Sequence, residues 1–161
     1  MKLKGLLVML FAGFAAGAVA LDASAQVPGD PSAVSNEVID VRWTKNTYAN
    51  GDITMSDRET GLMWLHNASL GGKKDWDSAV SYCGSLIYAG YSDWRLPSKS
   101  ELAAQFHSKA HFTGVIDYYY YWAGTFRPYS TDAWGVSMGN GGVYDSEKTY
   151  AFHVWPVRGG Q

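Results

Sequence analysis

The sequence predicts an α+β domain in which two helices pack on a mainly antiparallel, twisted sheet with long loops. Three observations carry this expectation. Short β-prone segments come first and last with two helical patterns between them, an order that segregates strands from helices instead of alternating them. Trp76, Ala79, Val80, Cys83, Leu86 and Ile87 recur at i, i+3, i+4, i+7, i+10 and i+11, the spacing of one helix face. The β-prone pieces 53–55 and 61–65 flank the polar tip Asp57-Arg58-Glu59-Thr60 with Gly61 at its exit, which reads as a hairpin.

Taken in order, the chain opens with Lys2 and Lys4, a nearly apolar run over 5–20 and the small-x-small triplet Ala23-Ser24-Ala25. This is the pattern of a signal peptide over 1–25, cleaved before Gln26. The apolar run is shorter than the roughly 20 residues of a membrane span, and no cysteine follows it to accept a lipid. A periplasmic or extracellular protein without stable membrane insertion is expected. Residues 26–37, with Pro28, Gly29, Pro31 and several small polar side chains, read as a flexible leader before a single domain over 38–161.

Within that domain, 38–43 alternates like a half-buried strand, and Asn50-Gly51-Asp52 is a turn. After the hairpin and a Gly-Gly-Lys-Lys loop, Asp75 caps a helix expected over 76–88 that stops at Gly90. Trp94-Arg95-Leu96 is strand-like, sending Trp94 and Leu96 to one face and Arg95 to the other. Pro97 fixes the chain before Ser98-Lys99-Ser100-Glu101, a capping box that starts a second helix over 99–107 with Leu102, Ala103 and Phe106 inward. The aromatic segment 117–126 is β-prone. Strand candidates 133–138 and 143–144 are joined by Gly139-Asn140-Gly141-Gly142, and 149–157 closes the domain with Pro156 tolerable near a strand end.

Composition removes several functions. The formal net charge is −2, and losing Lys2, Lys4 and Asp22 with the leader makes the remainder slightly more acidic, so the basic face of a nucleic-acid binder is not expected. One cysteine permits no intrachain disulfide. Packing must hold the fold, and six Phe, seven Trp and eleven Tyr supply it.

The segments GLMWL at 61–65, WDSAVSYCGSL at 76–86, GYSDWRLPSKSEL at 90–102, YWAGT at 121–125, AWGV at 133–136 and VWPVR at 154–158 together resemble one family, the Lcl C-terminal domain of bacterial exported proteins. The resemblance covers about 53–158. It implies a C-type lectin-like fold, distantly similar to the formylglycine-generating enzyme fold, and a non-enzymatic module; the adhesin that names the family binds sulfated glycosaminoglycans. Two departures stand out. Where relatives usually carry two serines after the Tyr-Trp pair this chain has Ala123-Gly124, and it has no collagen-like repeat to give trimerisation and avidity.

Candidate site residues follow from chemistry. If 117–122 is one strand, Tyr118, Tyr120 and Trp122 share a face, where rings can stack on sugars with little entropy lost, or else cover the second face of a small sheet. Trp134 lies in a matched motif, and Lys73, Lys74 and Arg127 lie in loops where they can meet an anionic glycan. Asn140, Asp145 and Glu147 cluster near the late loop as oxygen donors for calcium, without the every-second-residue acidic pattern of a calcium loop. No other cofactor is expected. His107 and His111 have the i, i+4 spacing of zinc ligands, but Phe112-Thr113-Gly114 indicates that the helix has ended. Cys83 sits on the apolar stripe of a helix and reads as a packing residue, as do Trp94, the Arg95–Glu101 or Arg95–Asp93 pairing, and Arg158.

The function expected is an exported, non-catalytic module that recognises a glycan or other surface polymer. Two alternatives are an enzyme using metal or acid–base groups such as His111, Asp117 and Asp132, and an assembly subunit whose rings meet another protein. The oligomeric state is not predicted.

Overall fold

A computed structural model describes residues 32–125 and 127–159; the expected signal peptide, its cleavage point and the first part of the leader lie outside the described residues. In chain order the elements are β1 (Ser35–Val38), β2 (Trp43–Thr47), β3 (Ile53–Asp57), β4 (Leu62–Leu65), β5 (Lys73–Lys74), α1 (Trp76–Ser85), α2 (Lys99–Ser108), β6 (Tyr120–Trp122), β7 (Asp132–Ser137), β8 (Val143–Glu147), β9 (Phe152–His153) and β10 (Val157–Gly159). They form two five-stranded sheets, β1-β2-β3-β4-β10 and β5-β9-β6-β7-β8. Every pairing is antiparallel except β6 with β9. This is the α+β architecture expected, with two sheets in place of one.

The first sheet departs from expectation at its start. Asp40 Oδ1 accepts hydrogen bonds from the amides of Arg42 and Trp43, both at 2.7 Å. An aspartate that satisfies two amides ahead of it makes a turn, so the expected strand 38–43 is split there. Residues 35–37, read as leader, instead pair with β2, Ser35 opposite Thr47. Their polar character reflects an edge strand with all four residues exposed.

The β3–β4 hairpin forms as read. Its tip is held by Asp57, 2% exposed, which accepts from Arg42 Nε and Nη2 at 2.9 and 2.6 Å and from Thr60 Oγ1 at 2.8 Å. These bonds outweigh the burial that would raise its pKa and hold the carboxyl below the usual range.

Asp75 caps α1 through the Ser78 amide at 2.9 Å. The helix ends at Ser85, three residues early. Tyr88 and Tyr91 exchange backbone hydrogen bonds at 3.0 Å around Ala89 and Gly90, whose φ angles are 55° and 81°. The reversal starts before Gly90 because the Ala89 amide is captured by Asp52 Oδ2 at 2.6 Å. Ile87 lies past the helix end and is exposed, Val80 within the helix is exposed as well, and of the stripe only Ala79 and Cys83 are fully buried.

Trp94 and Leu96 are buried as their alternation requires, and Arg95 exchanges backbone bonds with Val157 at 2.9 and 3.0 Å. Its guanidinium takes Glu101 bidentately, at 2.8 and 2.9 Å, and reaches the Gly159 carbonyl at 3.1 Å. Glu101 also completes the capping box, accepting from the Ser98 amide at 2.7 Å.

The main core lies between the sheets and α2, built on Trp43, Met55, Trp64, Leu102, Tyr121 and Trp155. Trp155 meets Trp64 and Phe112 edge-on at 5.4 and 4.9 Å, and its indole N–H donates to the Leu65 carbonyl at 2.9 Å. A second cluster of Ala79, Cys83, Leu96, Trp122, Ala133 and Val154 lies beneath α1.

Replacing Glu101 by Gln should cost about 2 kcal/mol, the scale of a charge-assisted pair in a part-buried site, read as a lower urea midpoint with an unchanged m-value. The Arg95 hydrogen bonds hold the Glu101 carboxyl below its ordinary 4.5. Its contribution is full above that value and is lost as pH falls through the depressed one, so the variant should lack this part of the acid dependence.

Candidate functional site

Register assigns the side chains of the second sheet to its two faces. Tyr120 pairs with Ser137, Tyr121 with Val136 and with His153, Lys74 with Phe152, and Gly135 with Tyr144. Tyr120, Trp122, Tyr144, Phe152 and Lys74 therefore share one face, and Tyr121, Val136, His153 and Lys73 the other. On the first face α1 covers the end that holds Trp122, Ala133 and Val154. Toward the other end lies a patch of rings in which Tyr120 and Phe152 are half-buried and Tyr144 and Tyr150 are exposed.

That patch is ordered by ring contacts. Tyr120 stacks on Phe152 with centroids 5.0 Å apart and planes at 26°, and meets Tyr144 edge-on at 5.5 Å. Tyr150, 54% exposed, lies 6.3 Å from Phe152. The Asn140 amide donates to the Tyr144 hydroxyl at 3.2 Å, fixing the phenol at one border. Gly135 makes the stacking possible, since a Cβ there would lie 3.0 Å from the Phe152 ring.

The seven expected ligand-binding residues do not come together. Only Tyr120 is part of the patch. Tyr118 is 93% exposed, but it lies in the turn before β6, because the strand is three residues long and not six. Trp122 is a correction: it is fully buried under α1, with Phe152 4.2 Å away and its N–H bonded to the Lys74 carbonyl at 2.8 Å, and is closed to any ligand.

The other four sit in three further places. Trp134 has the Lys99 ammonium 4.4 Å and the Arg127 guanidinium 4.9 Å from its ring, and Arg127 is bonded to Asp145 at 2.7 Å. Lys73 sits 3.5 Å over the Tyr119 ring, and Lys74 4.7 Å from Tyr82. Tyr144, Tyr150 and Phe152 are the patch residues that the sequence reading missed. Each lies in or beside a segment read as a strand, yet only the register shows that they meet Tyr120.

The oxygen donors do not converge either. Asn140 is turned to Tyr144 and the Gly142 amide, Asp145 to Arg127, and Glu147 to Thr149. Among the described residues no three His, Cys, Asp or Glu side chains are grouped to hold a metal. His111 Nε2 lies 3.3 Å from Asp40, Asp117 is bonded to Lys109 at 2.6 Å, and Asp132 accepts from Thr131 at 3.3 Å, three separate places. Asp93 partners Arg158, at 2.7 and 3.1 Å, and leaves Arg95 to Glu101. Arg158 also covers Tyr91 at 3.6 Å.

The family model of the Lcl C-terminal domain matches residues 53–158. The chain belongs to the Lcl C-terminal domain family. No curated protein matches it. In this Lcl C-terminal domain the match runs from β3 into β10, so it takes in α1, α2 and the whole ring patch. Strands β1 and β2 precede it and extend the first sheet, β2 adding Trp43 to the core. Among the described residues no helix is long and apolar enough to cross a membrane.

Cys83 is 1% exposed, and burial pushes its thiol up to about 12. It should resist iodoacetamide in the folded domain at mildly alkaline pH and react on denaturation, which mass spectrometry reads directly. Trp122→Ala should act on stability, costing about 3–5 kcal/mol by chemical denaturation.

Proposed function

We propose that this domain is an exported, non-catalytic module that holds a carbohydrate polymer against the ring patch on its second sheet. The observation that carries the reading is the patch of mutually packed rings Tyr120, Phe152, Tyr144 and Tyr150, the last two exposed and the first two half-buried. Planar rings stack on the C–H faces of pyranoses, and a ring with two side-chain torsions loses little entropy in doing so. The phenol oxygens at the border, and Asn140 beside one of them, supply hydrogen bonds to sugar hydroxyls. Because the rings are already packed on each other, little has to be ordered on binding.

Other groups support this by being engaged elsewhere. The candidate acid–base residues are held in separate contacts, and the one thiol is buried. An exported location rests on the pattern of residues 1–25, and the C-type lectin-like architecture on the family resemblance; both fit a surface-facing polymer ligand.

The test is retention on insoluble cellulose, chitin and xylan, with a soluble glycan array beside it. Saturable binding is expected, weakened about tenfold by Tyr120→Ala and by Tyr144→Ala, on the order of the 1.4 kcal/mol that a lost stacking contact removes. Binding through rings should change little between low and high salt, and Arg127→Ala should leave it intact. Full binding by both folded tyrosine variants would place the site elsewhere, and a co-purifying protein with no polysaccharide retained would favour an assembly role.

A further inference from the structure

His153 follows Phe152 on β9 and lies on the opposite face of the sheet from the ring patch. It is 8% exposed, and neither Nδ1 nor Nε2 has a hydrogen-bond partner. The ring packs against Tyr119, centroids 5.4 Å apart at 68°, and against Tyr121, 5.2 Å apart at 31°. Lys73 pairs with it in register and places its ammonium 3.5 Å from the Tyr119 ring. The groups that face it are thus one cation from β5, one phenol from the turn before β6 and one from β6 itself. Asp117, the acidic residue of that turn, is bonded to Lys109 at 2.6 Å, and Trp155 stands behind Tyr121 at 5.8 Å.

Position makes this residue a junction. His153 is paired both with Lys73 of β5 and with Tyr121 of β6, so the two ladders of β9 meet on it. Strands β5 and β9 are two residues long, and β6 three. No second pairing between β9 and β6 backs up this one. Phe152, its neighbour in β9, sends its ring to the opposite face, where it stacks on Tyr120 at 5.0 Å and lies 4.2 Å from Trp122.

We propose that protonation of His153 opens the β5–β9–β6 ladder and disperses the ring patch on its far side, so that ligand held there is released in acid. A proton on the buried imidazole has no acceptor to meet and stands beside an ammonium. Burial and Lys73 accordingly hold the His153 pKa below the ordinary 6.5. The sign follows: the closed ladder is fully favoured above 6.5, and below it the closed-to-open ratio falls by up to tenfold per pH unit until the closed form itself takes up the proton. The release half rests on the carbohydrate reading; the opening half does not.

The experiment is an NMR pH titration of the full chain, following the ring resonances of Tyr120, Phe152 and His153, with His153→Phe as the variant that keeps a ring and cannot protonate. His153→Gln serves if the first does not fold. The expected result is that Phe152 and Tyr120 move together with His153 in the wild type, that core resonances such as Trp64 persist, and that the variant is flat over the same range. Phe152 signals that stay fixed while His153 titrates, or an equal response in the variant, would overturn the proposal. Retention on cellulose, chitin and xylan at neutral and acid pH separates the two readings. Rings that respond with no polysaccharide retained at neutral pH leave the switch standing and remove the carbohydrate function. Retention that is equal at both pH values, with unmoved rings, does the reverse.

Discussion

Arg95 ties β10 to the start of α2. Its backbone is hydrogen-bonded both ways to Val157, its guanidinium grips Glu101 through two parallel bonds, and the same fork reaches the Gly159 carbonyl. A planar fork gives the carboxylate two parallel bonds while still reaching the carbonyl, a bidentate geometry that a lysine ammonium does not reproduce. The consequences run outward. Glu101, oriented by Arg95, caps α2 by accepting from the Ser98 amide, and the residues on either side of that cap hold the exit of β6: Pro97 accepts from the Gly124 amide at 2.7 Å, and the Lys99 amide donates to Thr125 Oγ1 at 2.7 Å. The exit of the strand that carries Tyr120 is therefore held by the junction that Arg95 and Glu101 build.

Close packing at that exit suits Ala123-Gly124, the pair by which this chain departs from the family pattern noted in its sequence. Ala123 is fully buried, and its carbonyl accepts from the Trp76 indole at 2.9 Å. At Gly124 a Cβ would stand 3.0 Å from Leu96 Cβ and 3.2 Å from its carbonyl oxygen, tighter than most side chains tolerate. In this chain a hydroxyl at position 123 would be buried in the main core, and one at 124 would crowd Leu96. The pair serves the junction between β6 and the segment that carries Arg95.

What was legible in the sequence was local chemistry. A cap is a short-range hydrogen bond, so Asp75 and Ser98 with Glu101 could be read from spacing alone, and so could the β3–β4 hairpin around its polar tip. The misread stretches are those where a distant group decides. Asp52 captures the amide of Ala89 and ends α1 before its apolar pattern does. Asp40 turns a chain whose alternation runs on regardless. Over 117–122 the alternation of Tyr120 and Trp122 was right, but their fates differ because α1 covers one and not the other, and no feature of that segment records where a helix forty residues earlier will lie. The partners of Tyr120 were hidden for the same reason: Phe152 and Tyr144 are neighbours only through register.

The distribution of hydrogen bonds and ion pairs bears on where this domain can yield. Asp57 with Arg42, Arg95 with Glu101, and Arg158 with Asp93 all brace the first sheet or its junction with α2. The β5–β9–β6 part of the second sheet has strands of two and three residues, a single pairing between β9 and β6, and a histidine with no partner at the crossing. Opening free energies follow such local differences, so this corner can separate while the core around Trp155 stays closed. A buried imidazole without hydrogen bonds is a standing cost to the folded state, since filling the same space with an apolar ring would remove it. The cost falls on the back of the strand that holds Phe152, directly behind its stacked contact with Tyr120.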